Sequence, residues 1–265
     1  MGETFLDPNQ EMFIAGSFRD GHVTRKVTSD GAVDLEDLFS SHEEADTRLL
    51  LHVAHASQEC PCVVVWSPNT DVAVLCIHFY HKLEATQELW FHTGVKDKAW
   101  FIPVHSIAVT LGVQLCKMLP AVHTLTGCDS TSSLVRGGKL KPWKLVRKDP
   151  QKFRNLTNIG AIMEIPQTQL KTVELLLTLL YDPTTTVGDV DGVRYKLFCL
   201  KQARNESLLP TSDCLLQHTK SANYQTLIWK HALEAQPNIP SPVENGWHHD
   251  KNGQLTPTLM TITCS

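Results

Sequence analysis

The stretch that most constrains this chain runs from Ser40 to Asp71 and reads SSHEEADTRLLLHVAHASQECPCVVVWSPNTD. Ser41 and Glu44 have the spacing of a capping box, in which a hydroxyl and a carboxylate bind the first backbone N–H groups of a helix. The spacing therefore predicts a helix that begins near Ser41. The run CVVVW has no polar alternation, which is typical of a strand buried on both faces of a parallel sheet. A helix, a buried strand and an acid in this order predict an α/β domain.

The same alternation continues along the chain. VAVLCIHF begins as a second apolar strand after SPNTD, and we expect it to continue into a helix toward Lys82. ELWF and KAWFIP predict two further strands, and VHSIAVTLGVQLCKML predicts the helix that follows. Strands that alternate with helices indicate a parallel sheet of the doubly wound type.

Simpler segments flank this core. Residues 10–29 alternate weakly around Asp20-Gly21, which predicts two antiparallel strands before an acidic connector at 30–40. Prolines and Asn-Gly steps from Pro237 onward predict an extended or poorly ordered tail. Helical periodicity is found at 167–181, 189–204 and 212–235. The predicted segments are a hairpin and connector, a core, a helical region and a tail, at 1–39, 40–148, 149–236 and 237–265.

Composition limits the class of protein. The chain has 265 residues, of which 42% are hydrophobic and 20% charged, as in an ordinary globular protein. A net charge of −4 argues against a general attraction to nucleic acid, so binding would need a local basic patch. We see neither an apolar run of about 18 residues nor a secretory signal, which predicts a nuclear or cytoplasmic protein and no membrane partner. The eight cysteines lie mostly in apolar runs and predict reduced, buried thiols. The oligomeric state stays open.

The acidic side chains are the candidate site. Glu43, Glu44 and Asp46 lie at a helix start, where acids commonly offset the helix dipole. Asp71 has the plainer explanation of a turn residue, and Asp129 in TGCDSTSS that of a helix cap. In a doubly wound sheet, however, strand ends and helix starts meet at the edge where ligands bind. Carboxylates that converge there need a cation, and oxygen ligands suit Mg²⁺ or Mn²⁺.

The order of these acids resembles the flap-endonuclease branch of PIN-like nucleases. In that branch an E-x-E pair opens a helix, a D-x-D pair follows the next strand, and a G-C-D motif leads into a basic turn. Glu44 and Asp46 match the first pair, Asp71 the second acid of D-x-D, and Asp129 the acid of G-C-D. The resemblance implies a PIN-like three-layer domain with a mainly parallel sheet, followed by a helical C-terminal region. It also implies metal-dependent cleavage of DNA or RNA by Glu44, Asp46, Asp71 and Asp129, with Glu43 and Asn69 as further metal ligands.

A basic stretch follows the third acidic motif. Arg136-Gly137-Gly138-Lys139 resembles the start of the turn that holds DNA in these nucleases, where backbone amides and lysines bind a phosphate. The nucleic-acid ligands that the resemblance implies are Arg136, Gly137, Gly138, Lys139, Lys141 and Lys144.

A closer resemblance, over nearly the whole chain, is to multicopy animal proteins associated with mobile elements, which share SHEEADTRLLLH, ELWF, VHSIA and LTGCDSTSS. Three departures from the nuclease pattern matter. Asn69 stands where the pattern has aspartate, and Arg136 where it has glycine. A full nuclease domain also begins with a strand that carries another metal-binding aspartate, so the resemblance implies truncation at the N-terminus. Two functions stay open: an impaired divalent-metal nuclease, and a non-catalytic, nuclease-derived module that binds nucleic acid or protein.

Zinc chemistry is the weaker alternative. His52 and His55 lie on one helical turn, as His78 and His81 would, but no H-E-x-x-H motif or Cys partner accompanies either pair. Cys60 and Cys62 form a close pair, but no second pair has finger-like spacing. Core or surface histidines are the better interpretation. The sequence contains no P-loop, no G-x-G-x-x-G and no G-x-S-x-G, which disfavours those nucleotide-dependent and hydrolase classes.

Overall fold

A computed structural model describes residues 6–16, 18–83, 85–133, 138–200 and 209–258. The chain divides into two compact units. The first contains the described residues of Met1–Cys76, Lys82–His105 and His231–Asn238. The second contains those of Ile77–His81, Ser106–Lys230 and Ile239–Ser265. The predicted 40–148 segment contributes to both units, and its identity as one nuclease-like core remains a prediction.

The first unit opens with a small antiparallel sheet. Strands β1 (Met12–Ala15), β2 (Thr24–Thr28) and β3 (Gly31–Asp34) pair in that order. The predicted pair of antiparallel strands is confirmed. The third strand lies in the segment that we expected to be a connector. It forms because Ser29 and Asp30 make a two-residue loop, which returns the chain directly alongside β2.

A second sheet follows with its helices. The elements are α1 (Ala45–Ala56), β4 (Cys62–Trp66), α2 (Thr70–Phe79), β5 (Glu88–Thr93) and β6 (Trp100–Pro103). Strand β4 pairs with β5 in parallel, and β5 pairs with β6 antiparallel. The strands predicted at CVVVW, ELWF and KAWFIP are confirmed, but the doubly wound parallel sheet is wrong. Residues 94–99 are too few for a crossover between parallel strands, which needs about a dozen residues.

Two further expectations for this sheet are wrong. VAVLCIHF is helical from its first residue, because Asn69 caps the helix start instead of extending the strand. Strand β4 is buried on one face only. Val63 and Val65 are buried, whereas Val64 and Trp66 are 53% and 75% exposed. The fold is therefore mixed α/β with small, partly parallel sheets, and a PIN-like three-layer arrangement remains a prediction.

The second unit is mainly helical, as predicted for the C-terminal region. Its helices are α3 (Val104–Leu125), α4 (Leu140–Lys148), α5 (Gln167–Tyr181), α6 (Val190–Cys199) and α7 (Ser212–Lys230). They enclose one hydrophobic cluster, in which Met118, Phe153, Leu156 and Ile159 are fully buried. Helix α5 coincides with the predicted range 167–181.

Among the described residues, α3 is the one helix long and apolar enough to cross a membrane. It is interrupted at Gly112, whose φ of 74° and ψ of 163° lie outside the helical region. Met118, Ala121 and Val122 of this helix are buried in the hydrophobic cluster. Such burial is typical of a helix in the core of a protein rather than of a membrane span.

The tail contains a hairpin. Strands β7 (Trp247–His249) and β8 (Leu255–Pro257) pair antiparallel, so these residues of the predicted extended tail form a β-hairpin. The Asp250 carboxylate accepts the backbone N–H groups of Asn252 at 2.8 Å and Gln254 at 2.7 Å, which closes the turn. Residues 259–265 lie outside the described part.

The described cysteines are free thiols. Burial raises the pKa of Cys76 to about 12 and that of Cys116 to about 11. The prediction of buried thiols is confirmed for these two. It is wrong for Cys60, Cys62 and Cys199, which are exposed.

Candidate functional site

Three of the predicted site residues meet at the end of β4. The Asn69 side chain donates a hydrogen bond from Nδ2 to Asp46 Oδ2 at 2.8 Å. Asn69 Oδ1 accepts the backbone N–H of Asp71 at 2.9 Å. Asp46 lies in the first turn of α1, and Asp71, which is 5% exposed, lies in the first turn of α2. The amide of Asn69 therefore links two helix starts, and both helix dipoles favour negative charge there.

The local sequence explains why Asn69 holds this place. Its backbone N–H donates to Ser67 Oγ at 3.1 Å, which turns the chain after β4. A side-chain oxygen that accepts the N–H of the second helical residue is the usual N-cap of a helix. SPNTD thus encodes a strand end, a turn and a helix cap in five consecutive residues. The cap uses the amide oxygen and leaves the amide nitrogen for Asp46.

Helix α1 begins at Ala45, later than the sequence predicts, so the Ser41–Glu44 capping box is wrong. Glu44 is the N-cap residue, with extended backbone and no side-chain capping bond. Ser41 N–H donates instead to the Ala235 carbonyl at 3.1 Å. His42 Nε2–H donates to the Glu234 carbonyl at 2.8 Å. These bonds to a distant segment hold the chain extended for a further turn before the helix starts.

Glu43 and Glu44 line a cleft of about 890 Å³ in the first unit. The cleft lies on the side of α1 that carries Arg48, His52 and His55. The Asp46 carboxylate instead meets Asn69 at the end of β4. Residues two positions apart at a helix start project in different directions, which separates Glu44 from Asp46 in this way. The structure therefore groups Asp46, Asn69 and Asp71, while Glu43 and Glu44 open onto the cleft.

Four histidines line this cleft, and sequence reasoning singled out only two of them. His22 and His42 come from the β1–β2 loop and from the segment before α1, so neither shares a helix turn with His52 or His55. Their spacing in sequence carries no signal. Burial, and then the positive charges of Arg48 and His55, lower the pKa of His52. Its Nε2 is buried and has no hydrogen-bond partner among the described residues.

Arg48 is committed to structure rather than to a ligand. One Nη atom donates to the Gly21 carbonyl, and the other donates to the carbonyls of His22 and Val23 at 3.2 Å each. The guanidinium thus fixes the β1–β2 loop beside α1. Burial is the main cause that lowers the pKa of His42. The bond from His42 to the Glu234 carbonyl raises this pKa in part, and the positive charge of Arg48 lowers it further.

Asp129 occupies the exposed tip of a tight turn in the second unit. Cys128 and Thr131 form an antiparallel bridge across it, and Thr131 Oγ1 donates to the Thr124 carbonyl at 2.7 Å. Residues 130–133 are not helical, so a helix cap does not explain Asp129. Its convergence with Asp71 remains a prediction, since Asp71 belongs to the first unit.

The basic stretch forms a helix with a charged face. Lys141, Lys144, Arg147 and Lys148 are exposed on α4, whereas Val146 is buried. Positions 141, 144 and 148 recur at helical spacing, so their ammonium groups lie along one side. Lysines in such a row can contact successive phosphates of a nucleic-acid backbone. Basic residues near a helix C-terminus also have a plainer role in offsetting its dipole.

Lys139 differs from the other lysines. Its ammonium donates to His123 Nε2 at 3.1 Å, to the His123 carbonyl at 3.4 Å and to the Gly127 carbonyl. It thereby satisfies carbonyl groups at the C-terminal end of α3, a structural role that the sequence pattern did not reveal. Gly138 is exposed with φ +73°, as a turn glycine would be. Arg136 and Gly137 lie outside the described residues.

The oxygen ligands of Asp46, Asn69 and Asp71 favour metal binding, but the hydrogen bonding of the Asn69 amide opposes it. Carboxylate and amide oxygens are the ligands that Mg²⁺ and Mn²⁺ take. Asn69, however, presents its N–H group to Asp46, and its oxygen is used in the helix cap. In the described chain, no three His, Cys, Asp or Glu side chains are grouped to hold a metal ion. In this arrangement Asn69 directs a donor, and not an oxygen, at Asp46, and Mg²⁺ or Mn²⁺ binding remains a prediction.

Comparisons with models of known protein families, with curated proteins and with solved structures found no match to this chain. The nuclease resemblance therefore rests on the sequence motifs alone.

Proposed function

We propose that this chain is a nuclease-derived nucleic-acid-binding module whose metal-dependent phosphodiester cleavage is impaired. The observation that carries the proposal is the hydrogen bond from Asn69 Nδ2 to Asp46 Oδ2 at 2.8 Å. A neutral amide balances this carboxylate, where the nuclease pattern has an aspartate that would need a cation. The Asp46 carboxylate thus has a hydrogen-bond donor in the absence of metal.

Binding is assigned to the exposed face of α4. The overall charge of −4 does not favour DNA or RNA, so a local cluster must supply the attraction. Lys141, Lys144 and Lys148 form such a cluster on one side of a nine-residue helix. Phosphate contacts of this kind carry no base specificity, so the module would bind many sequences with strong salt dependence.

The second candidate is divalent-metal hydrolysis of DNA or RNA by Glu44, Asp46, Asp71 and Asp129. The meeting of Asp46 and Asp71 at Asn69, at the end of a strand, favours it. Loading a cation between these acids would require the Asn69 amide to rotate and release the helix cap.

Binding is tested with fluorescently labelled single-stranded, duplex and flap oligonucleotides at several salt concentrations. We expect the affinity to fall with salt by about 0.7 log units per log unit of salt for each phosphate neutralised on a single strand. The double variant Lys141→Glu/Lys144→Glu should bind at least about tenfold more weakly, since both contacts become repulsive. The matched control is Lys251→Glu, an exposed lysine in the β7–β8 turn. If Lys251→Glu lost as much affinity as Lys141→Glu/Lys144→Glu, α4 would not be the binding surface.

The same oligonucleotides, incubated with Mg²⁺ or Mn²⁺ with and without a chelator, test the impairment. We expect the wild-type chain to leave them intact. Robust cleavage that the chelator abolishes, and that Asp71→Asn also abolishes, would overturn the proposal in favour of the second candidate.

A further inference from the structure

Within the part of the chain that the structure describes, strand β4 has an open hydrogen-bonding edge. In the sheet order β4-β5-β6, β5 is the one described strand that pairs with it. Ser67 N–H donates to the His92 carbonyl, and the Pro61 carbonyl accepts the N–H of Glu88, so residues 61 and 67 face β5. Successive residues of a strand direct their backbone groups to opposite sides. The N–H and C=O groups at 62, 64 and 66 therefore point away from the sheet.

The side chains at these outward positions are apolar and exposed. Val64 and Trp66 are 53% and 75% exposed, and Cys62 is exposed as well. The Trp66 ring packs edge-on against His92 of β5, with ring centroids 4.9 Å apart. An apolar patch beside an open strand edge is the usual mark of an interaction surface.

The usual protections of an edge strand are missing from β4. Natural sheets guard their edges with charged residues, prolines or very short strands. Residues 60–68, CPCVVVWSP, contain no Asp, Glu, Lys or Arg, and their prolines lie outside the strand itself. The opposite edge strand, β6, has four residues and ends in Pro103. The open edge of β4 is thus left ready to pair, whereas that of β6 is blunted.

We propose that two copies of this chain pair through β4 as antiparallel strands about a two-fold axis at Val64. In this register Val64 lies opposite the partner's Val64, and Cys62 lies opposite the partner's Trp66. Residues 62, 64 and 66 then form hydrogen-bonded pairs, which give about six N–H···O bonds between the copies. The two three-stranded sheets become one continuous six-stranded sheet.

A second copy is the occupant that the strand itself favours. The symmetric register places apolar side chains opposite apolar side chains on one face, which stabilises a strand pair. Because residues 60–68 carry no charge, like strands meet without repulsion. A two-fold axis also closes the assembly at two copies, which leaves no β4 edge open for further growth. This inference does not depend on the proposed function.

Disulfide trapping tests the register. Val64→Cys is placed in a full-length chain that also carries Cys60→Ser and Cys62→Ser. Paired Cα atoms in a hydrogen-bonded antiparallel pair are about 5.5 Å apart, within the range of about 4.4–6.8 Å that a disulfide spans. The Cβ atoms of such a pair lie about 5.5 Å apart and must approach to about 4.5 Å for the bond to form. We expect a covalent dimer to form under mild oxidation. The control is Val95→Cys in the same background, at a position 76% exposed in the β5–β6 loop. Equal cross-linking at both positions would overturn the proposal.

Mass measurement in solution tests the dimer itself. By analytical ultracentrifugation at tens of micromolar, the wild-type chain should have about twice its mass of 29.7 kDa. Val64→Lys should be monomeric, because two ammonium groups would face each other at the axis, while Val95→Lys should remain dimeric. Circular dichroism confirms folding of each variant. A monomeric wild type, a dimeric Val64→Lys variant, or open-ended aggregates in place of dimers would each refute pairing through β4.

Discussion

Replacing Asn69 by aspartate should turn the bond at the end of β4 into a repulsion between two carboxylates. In the wild type Asn69 Nδ2 donates to Asp46 Oδ2 at 2.8 Å. A hydrogen bond to a charged group contributes about 1.5–3 kcal/mol. An aspartate in the same position has no hydrogen to donate and brings a second negative charge. With an effective dielectric constant of about 20, two like charges about 4 Å apart repel by about 4 kcal/mol.

The net loss of stability in the variant is smaller than the sum of the lost hydrogen bond and the new repulsion. Both side chains are partly exposed, so water screens them and the new carboxylate can turn away. The helix cap survives, because aspartate caps a helix as well as asparagine does. We therefore expect the metal-free Asn69→Asp chain to lose about 2–4 kcal/mol of unfolding free energy at pH 7.

A divalent cation should restore that loss. A ligand that binds only the folded state at about 100 times its Kd adds about 2.7 kcal/mol of stability. The assay is urea unfolding, followed by circular dichroism, in a chelator and in excess Mn²⁺. Mn²⁺ should stabilise Asn69→Asp by most of its deficit and the wild type by little. Lowering the pH should also reduce the difference in unfolding free energy between Asn69→Asp and the wild type, because protonation of one carboxylate removes the repulsion.

Two variants separate charge from capping. The exchange Asp46→Asn/Asn69→Asp restores one amide opposite one carboxylate, so it should regain stability and show no response to Mn²⁺. Asn69→Ser keeps a capping oxygen without a charge and should lose stability in a way that Mn²⁺ does not repair. If Asn69→Asp matches the wild type in chelator, or if the exchange variant gains as much from Mn²⁺, the reasoning about this site is refuted.

Three further predictions concern the second unit. Lys139→Met should lower the melting temperature with little change in oligonucleotide affinity, because its ammonium bonds to the carbonyls of His123 in α3 and of Gly127 just after it. In contrast, Lys141→Ala and Lys144→Ala should each reduce the salt slope of binding by about 1 and leave the melting temperature unchanged. Burial lowers the pKa of His218 more than its bond to the Leu125 carbonyl raises it. The unfolded chain therefore binds more protons than the folded chain below about pH 6.5, and the free energy of unfolding falls as the pH decreases. In urea unfolding from pH 8 to 5, His218→Gln should lose less of this free energy than the wild type. Asn223 is buried, accepts the Gly160 N–H at 2.7 Å and donates to two carbonyls, so Asn223→Ala should cost about 2–4 kcal/mol in the same assay, and a loss below about 1 kcal/mol would contradict that role.

Local sequence patterns located most of the secondary structure. The apolar periodicity of 167–181 fixes α5, because a helix that packs on one side needs its apolar residues at that spacing. The apolar run at 62–66 fixes β4 as a strand. The pattern failed on the outward face of β4, where Val64 and Trp66 are exposed. Apolar residues on an uncovered face look the same in sequence as those in a core.

Parts of the site were also encoded locally. SPNTD places an asparagine between a strand end and an acid, and that spacing carries the helix cap. The sequence could not show which atom of the Asn69 amide faces Asp46, since those residues are 23 positions apart and meet only in the folded chain. If the amide N–H faces Asp46, it takes the place of a cation. If the amide oxygen faced Asp46, it could serve as a ligand to a cation.

The sequence by itself determined the type of most elements, such as α5 and β4, and the strand end, turn and helix cap that SPNTD encodes. Tertiary structure decided where α1 begins, because Ser41 and His42 bond to carbonyls of Ala235 and Glu234 almost two hundred residues away. It also decided that Glu43 and Glu44 open onto the cleft while Asp46 turns to Asn69. The physical reason is the same in each case. Propensity and capping act over one turn of chain, whereas the satisfaction of buried polar groups depends on partners that only the fold brings within hydrogen-bond distance.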